Sequence, residues 1–316
     1  MLLLLGALSA CNEVEEAPSN SETPETTTAA QTTTAATTTG TKRDPMDKYY
    51  NATFMSFNIR LDTTSDSGMN QWSNRKDAVC NFILDSGANV VCMQEVKVGQ
   101  KDYISQKIES KYGFIWYGRD NNEGTKGEGL AIAYDKSVWN LLEQSFFFLS
   151  ETPDVASLGW GAAHNRICVV ASLENKDTGD QIDIYNVHLD HVSLLARENG
   201  IKLVVSRMEE SVNPVYLCGD FNCTSADQAY AAAAEVLTDC QQAAPVTETG
   251  ATYHNWGNIS DTDLSRAIDF CFVSNKVIVP MEFKICRDKW GDDNSNFISD
   301  HYPIKVNLKI RKSNLD

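Results

Sequence analysis

The most informative run in this sequence is Val215-Tyr216-Leu217-Cys218-Gly219-Asp220-Phe221-Asn222. Its apolar start predicts a buried β-strand, which Gly219 interrupts just before a carboxylate and a carboxamide. Buried strands of α/β proteins commonly deliver catalytic groups at their carboxyl ends. Because side chains alternate along a strand, Asp220 and Asn222 are expected on the same face. For this octapeptide alone, the competing interpretation is a strand that ends in a structural turn built on the aspartate.

Strands that end in polar residues recur five more times along the chain. The other polar ends are Asn58, Gln94-Glu95, Asn186-Val187-His188, Ile268-Asp269-Phe270 and Ser299-Asp300-His301. A lone histidine or aspartate at such a place is more often structural, but the set as a whole supplies carboxylates, two histidines and carboxamides. Oxygen-rich ligand sets favour Mg²⁺ or Mn²⁺ over zinc. The set therefore fits metal-assisted attack of water on phosphorus.

The composition is that of a soluble globular protein with a strongly acidic balance. The chain has 316 residues, 42% of them hydrophobic, and a formal net charge of -16. This charge argues against a broad basic surface that grips nucleic acid through its phosphates. No internal repeat is visible, and nothing in the sequence supports an oligomer, so a monomer is expected.

The N-terminal part predicts export. Residues 1–11 form a short apolar run that ends in Leu8-Ser9-Ala10-Cys11, which resembles a bacterial lipobox, although no Lys or Arg precedes the run. Residues 12–48 are rich in Thr, Ser and Ala and predict a disordered tether. The folded domain is expected over residues 49–312. The protein is thus expected to be secreted, or held at the outer face of the cell membrane by a lipid anchor on Cys11.

Eight cysteines follow Cys11. Most fall in predicted strand or helix interiors and form no C-x-x-C pair, so free thiols are expected rather than a zinc knuckle. A disulfide between Cys223 and Cys240 is the alternative for an exported protein.

Hydrophobic patterns predict an α/β fold. Strands are expected at 53–61, 89–95, 114–117, 129–134, 139–149, 166–173, 181–187, 215–220, 267–273, 277–285 and 303–310. Helices are expected at 74–84, 101–110, 194–210 and 228–237. Tightly joined strand pairs alternate with strands joined by helices, which implies mixed sheets with helices on the outside.

The order of the polar strand ends resembles the endonuclease/exonuclease/phosphatase superfamily, in its secreted bacterial branch. The resemblance spans about residues 52–310 and is carried best by Gly219-Asp220-Phe221-Asn222 and Ser299-Asp300-His301. It implies a four-layer α/β/β/α sandwich of two mixed β-sheets flanked by helices, with the active site at the sheet ends. It also implies Mg²⁺-dependent (or Mn²⁺-dependent) hydrolysis of a phosphoester, in the first instance a phosphodiester, by in-line attack of water.

The resemblance further implies how the metal would be held. Glu95 would be the principal ligand, and Asn58 would hold water or phosphate beside it. Asp300 would provide a second metal position or help to orient the first.

The catalytic roles follow from the same resemblance. Asp220 would orient and deprotonate the attacking water. Asn222 and His188 would donate hydrogen bonds to the phosphate oxygens. Asp269 would hold His301 in place and keep it protonated. His301 would then stabilise the negative charge that develops on phosphorus.

Four further residues are weaker candidates for substrate binding. Arg60, two residues beyond Asn58 and expected on the same strand face, and Arg166, at the start of a predicted strand, could each clamp a phosphate. Tyr253 and Trp256 could stack on a base or sugar. Surface or strand-pairing roles are about as plausible for the two arginines, and aromatic residues of this kind more often serve core or rim packing.

Two kinds of function are therefore compared. An exported phosphoesterase could act on nucleic acid or oligonucleotide, on a phospholipid head group, or on a small phosphorylated metabolite. The alternative is a surface-displayed binding module that kept the fold and lost catalysis, for which we would expect a broken residue set.

Overall fold

The computed structural model of the protein describes residues 48–313. The predicted signal and lipobox at 1–11, and the predicted tether as far as residue 47, lie outside the described residues. Within the described range, the strands are β1 (Tyr49–Asn58), β2 (Val90–Lys97), β3 (Tyr112–Gly118), β4 (Glu128–Asp135), β5 (Trp139–Phe148), β6 (Ile167–Asn175), β7 (Gln181–His188), β8 (Val215–Asp220), β9 (Leu237–Asp239), β10 (Val246–Thr247), β11 (Asp269–Ser274), β12 (Ile278–Ile285), β13 (Lys289–Trp290), β14 (Asn296–Phe297) and β15 (Ile304–Arg311). The helices are α1 (Trp72–Asp85), α2 (Val98–Ile108), α3 (Leu194–Glu209), α4 (Gln228–Val236) and α5 (Cys240–Ala243).

Two large mixed sheets carry the fold. The first has the order β10-β12-β15-β1-β2-β4-β3, and the second has the order β5-β6-β7-β8-β11-β9. Each contains one parallel pair in its middle, β1 with β2 and β7 with β8. β15 runs antiparallel to β1, so that Tyr49 pairs with Arg311.

Apolar side chains fill the space between the sheets and under the helices. The cluster between the sheets includes Phe54 of the first sheet and Tyr216 of the second, whose ring centroids lie 4.9 Å apart. A second cluster joins the β7–β8 sheet to α3 and α4, and a third joins the β1–β2 sheet to α1 and α2. This arrangement confirms the predicted four-layer α/β/β/α sandwich.

The predicted strands and long helices are present, with shifted ends. α2 begins three residues before its predicted start and β11 two residues after its own. The short elements β9, β10, β13, β14 and α5 were not predicted, because two to four residues carry no readable period. None of the helices in the described part is both long and apolar enough to cross a membrane.

The eight cysteines among the described residues are buried free thiols, as predicted. Cys223 and Cys240 are not joined to each other. The fold is thus held by packing between its layers.

Candidate active site

The parallel strand pairs bring their polar ends together across the two sheets. Asn58 ends β1 beside Gln94 of β2, and His188 ends β7 beside Asp220 of β8. The Asn58 amide donates to Glu95 Oε1 at 3.1 Å and to Asp220 Oδ2 at 2.9 Å. Asn58 therefore ties a carboxylate of one sheet to a carboxylate of the other.

The backbone at these strand ends adopts conformations that side chains rarely take. Glu95 has φ 63° in an irregularity of β2 between Met93 and Val96. Arg60 and Asn222 also have positive φ, at 58° and 49°. Left-handed residues other than glycine cost free energy and cluster at functional sites. In this chain, three of them surround one cavity.

The conformations of Asn222 and Arg60 differ from the predicted strand geometry. β8 ends at Asp220, and the Asn222 amide N–H donates to Asp220 Oδ1 at 2.9 Å in a turn built on the aspartate. The expected shared strand face of Asp220 and Asn222 is therefore wrong. Arg60 is likewise not on the strand face of Asn58, because β1 ends at Asn58. The turn directs the Arg60 guanidinium to Asp66 at 3.0 Å, with Asp300 at 3.7 Å.

Asp220, Asp269 and His301 form a buried acid–histidine group. His301 Nδ1 lies 2.9 Å from Asp269 Oδ2, and His301 Nε2 lies 3.7 Å from Asp220 Oδ2. Burial lowers the pKa of His301, but Asp269, Asp220 and Asp300 outweigh burial and raise it to about 10. Burial and the neighbouring Asp269 raise the pKa of Asp220 to about 7, against the opposing effect of His301. At neutral pH, a protonated histidine therefore faces an aspartate that is close to its own pKa.

The carboxylates could hold a divalent cation. Glu95, His188 and Asp220 place ligand atoms within 4.8 Å of one another, and Asp220, Asp269 and His301 form a second such group. Asp300 Oδ2 faces the same cavity beside Arg60. Glu95 accepts one hydrogen bond at each oxygen, from Asn58 and from the Leu61 amide, which leaves further lone pairs for a metal. This oxygen-rich donor set fits Mg²⁺ or Mn²⁺.

These groups line an open cavity of about 450 Å³. The predicted residues on its wall are Arg60, Glu95, Arg166, His188, Asp220, Asn222, Tyr253, Asp300 and His301. Asn58 and Asp269 lie behind the wall and hold residues that form it. Trp256 does not line the cavity but packs against the Arg75 guanidinium, 5.5 Å from its ring centroid, so its predicted placement is wrong.

Five further lining residues with polar or charged side chains were not among the predicted site residues. They are Arg119, Glu128, His164, His191 and Arg266. Glu128 Oε1 accepts from Arg119 at 2.6 Å and lies 3.7 Å from His188 Nδ1. These residues sit in or beside loops and belong to no motif, so the sequence contained no signal that singled them out.

Comparison with known proteins now identifies the family. Residues 55–301 match the model of the Endonuclease/Exonuclease/phosphatase family. The chain belongs to this family. Members of the endonuclease/exonuclease/phosphatase family are metal-dependent phosphoesterases, so the chain is an enzyme of phosphoester hydrolysis.

Several solved structures and characterised proteins resemble this family member. An endonuclease/exonuclease/phosphatase from Bacteroides vulgatus is 32% identical with a TM-score of 0.76, over 83% of this chain and 100% of its own. A mannosyl-6-phosphatase from Bacteroides thetaiotaomicron is 31% identical with a TM-score of 0.75, over 81% of this chain and 99% of its own. The CCR4-Not complex 3'-5'-exoribonuclease subunit Ccr4 of Candida albicans is 22% identical over 77% of this chain and 38% of its own length. The matched segments span 59% and 24% of the length of the first two curated relatives, less than two thirds of either.

Proposed function

We propose that this chain is a Mg²⁺-dependent hydrolase that cleaves phosphoester bonds of small soluble compounds by in-line attack of water. The observation that carries the proposal is the buried group in which Asp220 lies within 3.7 Å of His301 and 3.5 Å of His188. A base and hydrogen-bond donors to anionic oxygen are the groups that phosphoryl transfer to water requires.

The residues divide the work as follows. Asp220 accepts the proton of the attacking water, because its pKa of about 7 suits a base at neutral pH. His301, kept charged by Asp269, donates to a phosphoryl oxygen and meets the negative charge that grows there. Asn58 fixes the Asp220 carboxylate. The Asn222 side chain donates one N–H to the Leu189 carbonyl oxygen and keeps a second for the same phosphoryl group.

Glu95 and Asp300, with Asp220 nearby, would hold the cation. When bound, Mg²⁺ supplies charge neutralisation at the phosphoryl oxygens. The cation preference is proposed because carboxylate oxygens dominate this donor set, and hard oxygen ligands suit Mg²⁺.

The size and charge of the site support a small substrate. A cavity of about 450 Å³ is in the range of small-molecule sites, and the net charge of -16 disfavours a long nucleic acid. The mannosyl-6-phosphatase relative supports a phosphorylated sugar, whereas the exoribonuclease relatives support an oligonucleotide. The motifs alone favoured a phosphodiester, so both bond types belong in the test.

Hydrolysis of bis(p-nitrophenyl) phosphate, p-nitrophenyl phosphate, mannose 6-phosphate and a short oligoribonucleotide, each with Mg²⁺ or with EDTA, tests this function. We expect Mg²⁺-dependent turnover that Asp220→Asn and His301→Ala each reduce ~100-fold or more. Glu235→Gln, an exposed change on α4, is the matched control. Absence of turnover on all four substrates, or turnover that neither change affects, would favour the binding module instead.

Export as a lipoprotein remains a second part of the proposal. It rests on the sequence Leu8-Ser9-Ala10-Cys11 and on the polar run that follows it. Expression of the full chain and of Cys11→Ser in a bacterium, followed by membrane fractionation and labelling with a radioactive fatty acid, tests it. Labelling that persists in Cys11→Ser would overturn it, as would absence of labelling in both. Sedimentation of the exported protein tests the expected monomer.

A further inference from the structure

One wall of the cavity carries two arginines and two histidines beside the carboxylate of Glu128, and none of these five takes part in the chemistry described above. It is formed by Arg119 after β3, His164 and Arg166 before β6, and His191 after β7. His164 and His191 stack with their ring centroids 5.7 Å apart, and His191 Nδ1 lies 3.2 Å from Arg166 Nη2. Three separate segments of the chain thus converge on this wall.

The Arg166 guanidinium is buried without full compensation. Its side chain is 5% exposed, and its Nε and Nη1 find no hydrogen-bond acceptor among residues 48–313. The carboxylates of Asp190 and Glu128 lie 3.6 Å and 4.0 Å away, beyond hydrogen-bond distance. These carboxylates pair with the charge of Arg166, but buried N–H groups without a hydrogen-bond acceptor are still costly.

Both of these carboxylates are already engaged elsewhere. Asp190 accepts the backbone N–H groups of Val192 and Ser193 at Oδ1 and that of Ala163 at Oδ2. Glu128 Oε1 accepts from Arg119. The hydrogen bonds of the protein thus leave the Arg166 Nε and Nη1 N–H groups unused.

This wall is separate from the place where the phosphoester would react. His188 stands between them, with Nε2 3.5 Å from Asp220 Oδ2 and Nδ1 3.7 Å from Glu128 Oε1. Arg166 lies on the Glu128 side of His188. A group held by Arg119 and Arg166 is thus a different part of the substrate from the phosphoryl group beside Asp220.

We propose that Arg119, Arg166, His164 and His191 form a second phosphate subsite, so that the substrate carries another phosphate besides the one that is hydrolysed. The inference rests on the proposed phosphoesterase function, which it narrows to doubly phosphorylated compounds. The planar guanidinium groups suit phosphate oxygens because they can donate two parallel hydrogen bonds.

Binding measurements test the subsite without turnover. In an Asp220→Asn background with Mg²⁺, calorimetry compares fructose 1,6-bisphosphate with fructose 6-phosphate, and adenosine 3′,5′-bisphosphate with adenosine 5′-monophosphate. The two bisphosphates differ in phosphate spacing. We expect at least one of them to bind about tenfold or more tightly than its monophosphate, and Arg166→Gln to remove most of that advantage.

Further variants separate binding from folding. His164→Gln, at an exposed position, should reduce the same advantage without affecting the fold, and it decides the question if Arg166→Gln does not fold. Arg207→Gln, an exposed arginine on α3, should leave the advantage intact. No bisphosphate advantage, or equal weakening of both members of a pair by Arg166→Gln or by His164→Gln, would overturn the subsite.

The two proposals fail differently. Wild-type turnover of p-nitrophenyl substrates with no bisphosphate advantage would overturn the subsite alone. A bisphosphate advantage without turnover of any phosphoester would overturn the hydrolase and leave an anion-binding site.

Discussion

Asp220 receives two hydrogen bonds from the protein before any substrate binds. Asn58 donates to one oxygen and the Asn222 amide to the other. Burial and Asp269 raise its pKa to about 7, so the carboxylate is neither strongly acidic nor permanently protonated at neutral pH. A base of this strength matches the task assigned to it.

Replacement of Asp269 by asparagine tests how His301 is charged. We expect kcat for bis(p-nitrophenyl) phosphate to fall ~100-fold or more, since His301 would lose the carboxylate 2.9 Å from Nδ1. KM should change little, because the charge that His301 meets develops in the transition state. Steady-state kinetics with Mg²⁺ measure both, and Asp177→Asn, at an exposed aspartate in the turn between β6 and β7, serves as the control.

The loss of stability caused by Asp269→Asn should also depend on pH. The folded pKa of His301 is raised to about 10 from 6.5, so the stabilisation by Asp269 is complete below pH 6.5 and is lost as the pH rises through 10. The deficit in unfolding free energy of Asp269→Asn should thus be larger at pH 6 than at pH 10. Urea unfolding in EDTA measures it, and equal deficits would contradict the charged pair.

At the scale of residues, the sequence predicted the acids and histidines but not their surroundings. Asp220, Asp269 and His301 stand in motifs, whereas Arg119 and Glu128 are isolated polar residues whose proximity depends on the β3–β4 pairing. The positive φ of Arg60 and Glu95 could not be predicted, because neither residue favours that conformation. The tertiary structure imposes it.

At the scale of elements, Gly219 decides how closely β7 and β8 approach. A Cβ atom at this position would lie 1.9 Å from the Val187 carbonyl oxygen, and φ is 148°. Val187 and Gly219 are paired next to His188 and Asp220. The close approach of the two strands therefore sets the distance between two residues of the site.

We expect Gly219→Ala to lower the unfolding free energy by ~3 kcal/mol or more, because the strands must separate to admit the methyl group. Gly179→Ala is the matched control, since Gly179 also has positive φ but has open space around its Cβ. The control should lose only ~1–2 kcal/mol. Urea unfolding compares the two variants. Similar losses of unfolding free energy would show that backbone strain, rather than contact with Val187, determines the cost of a side chain at position 219.

The elements that the sequence missed are those without a pattern of their own. β10 has two residues and lies beside the longer β12, whereas the two-residue β13 pairs with the equally short β14. By contrast, β8 is an apolar run that ends in Asp220 and β7 begins with alternating polar and apolar residues, so both were predicted to within one residue. The pairing of one sheet against the other required the structure.

At the scale of the whole molecule, the site is a junction of two sheets. Asn58 links Glu95 to Asp220, and Gln94 of the first sheet donates to Asn186 of the second at 2.8 Å. A cation held by carboxylates from both sheets should therefore stabilise the whole fold.

Thermal unfolding with and without Mg²⁺ tests this coupling. A ligand at 100 times its Kd stabilises the native state by about 2.7 kcal/mol, which for a domain of this size raises Tm by about 5–10 °C. Glu95→Gln should lose most of this rise, whereas Glu235→Gln on α4 should keep it. NaCl at equal ionic strength controls for screening. If Mg²⁺ raises the Tm of Glu95→Gln as much as that of the wild type, the cation does not bind at Glu95.

The register of β1 with β15 has a practical consequence. Tyr49 pairs with Arg311 at one end of these strands, and Asn58 lies at the other, roughly 30 Å away for ten extended residues. An affinity tag, a fusion partner or a solid support joined next to Tyr49 or Arg311 would therefore leave the entrance to the cavity clear, and immobilised enzyme should retain its turnover rate.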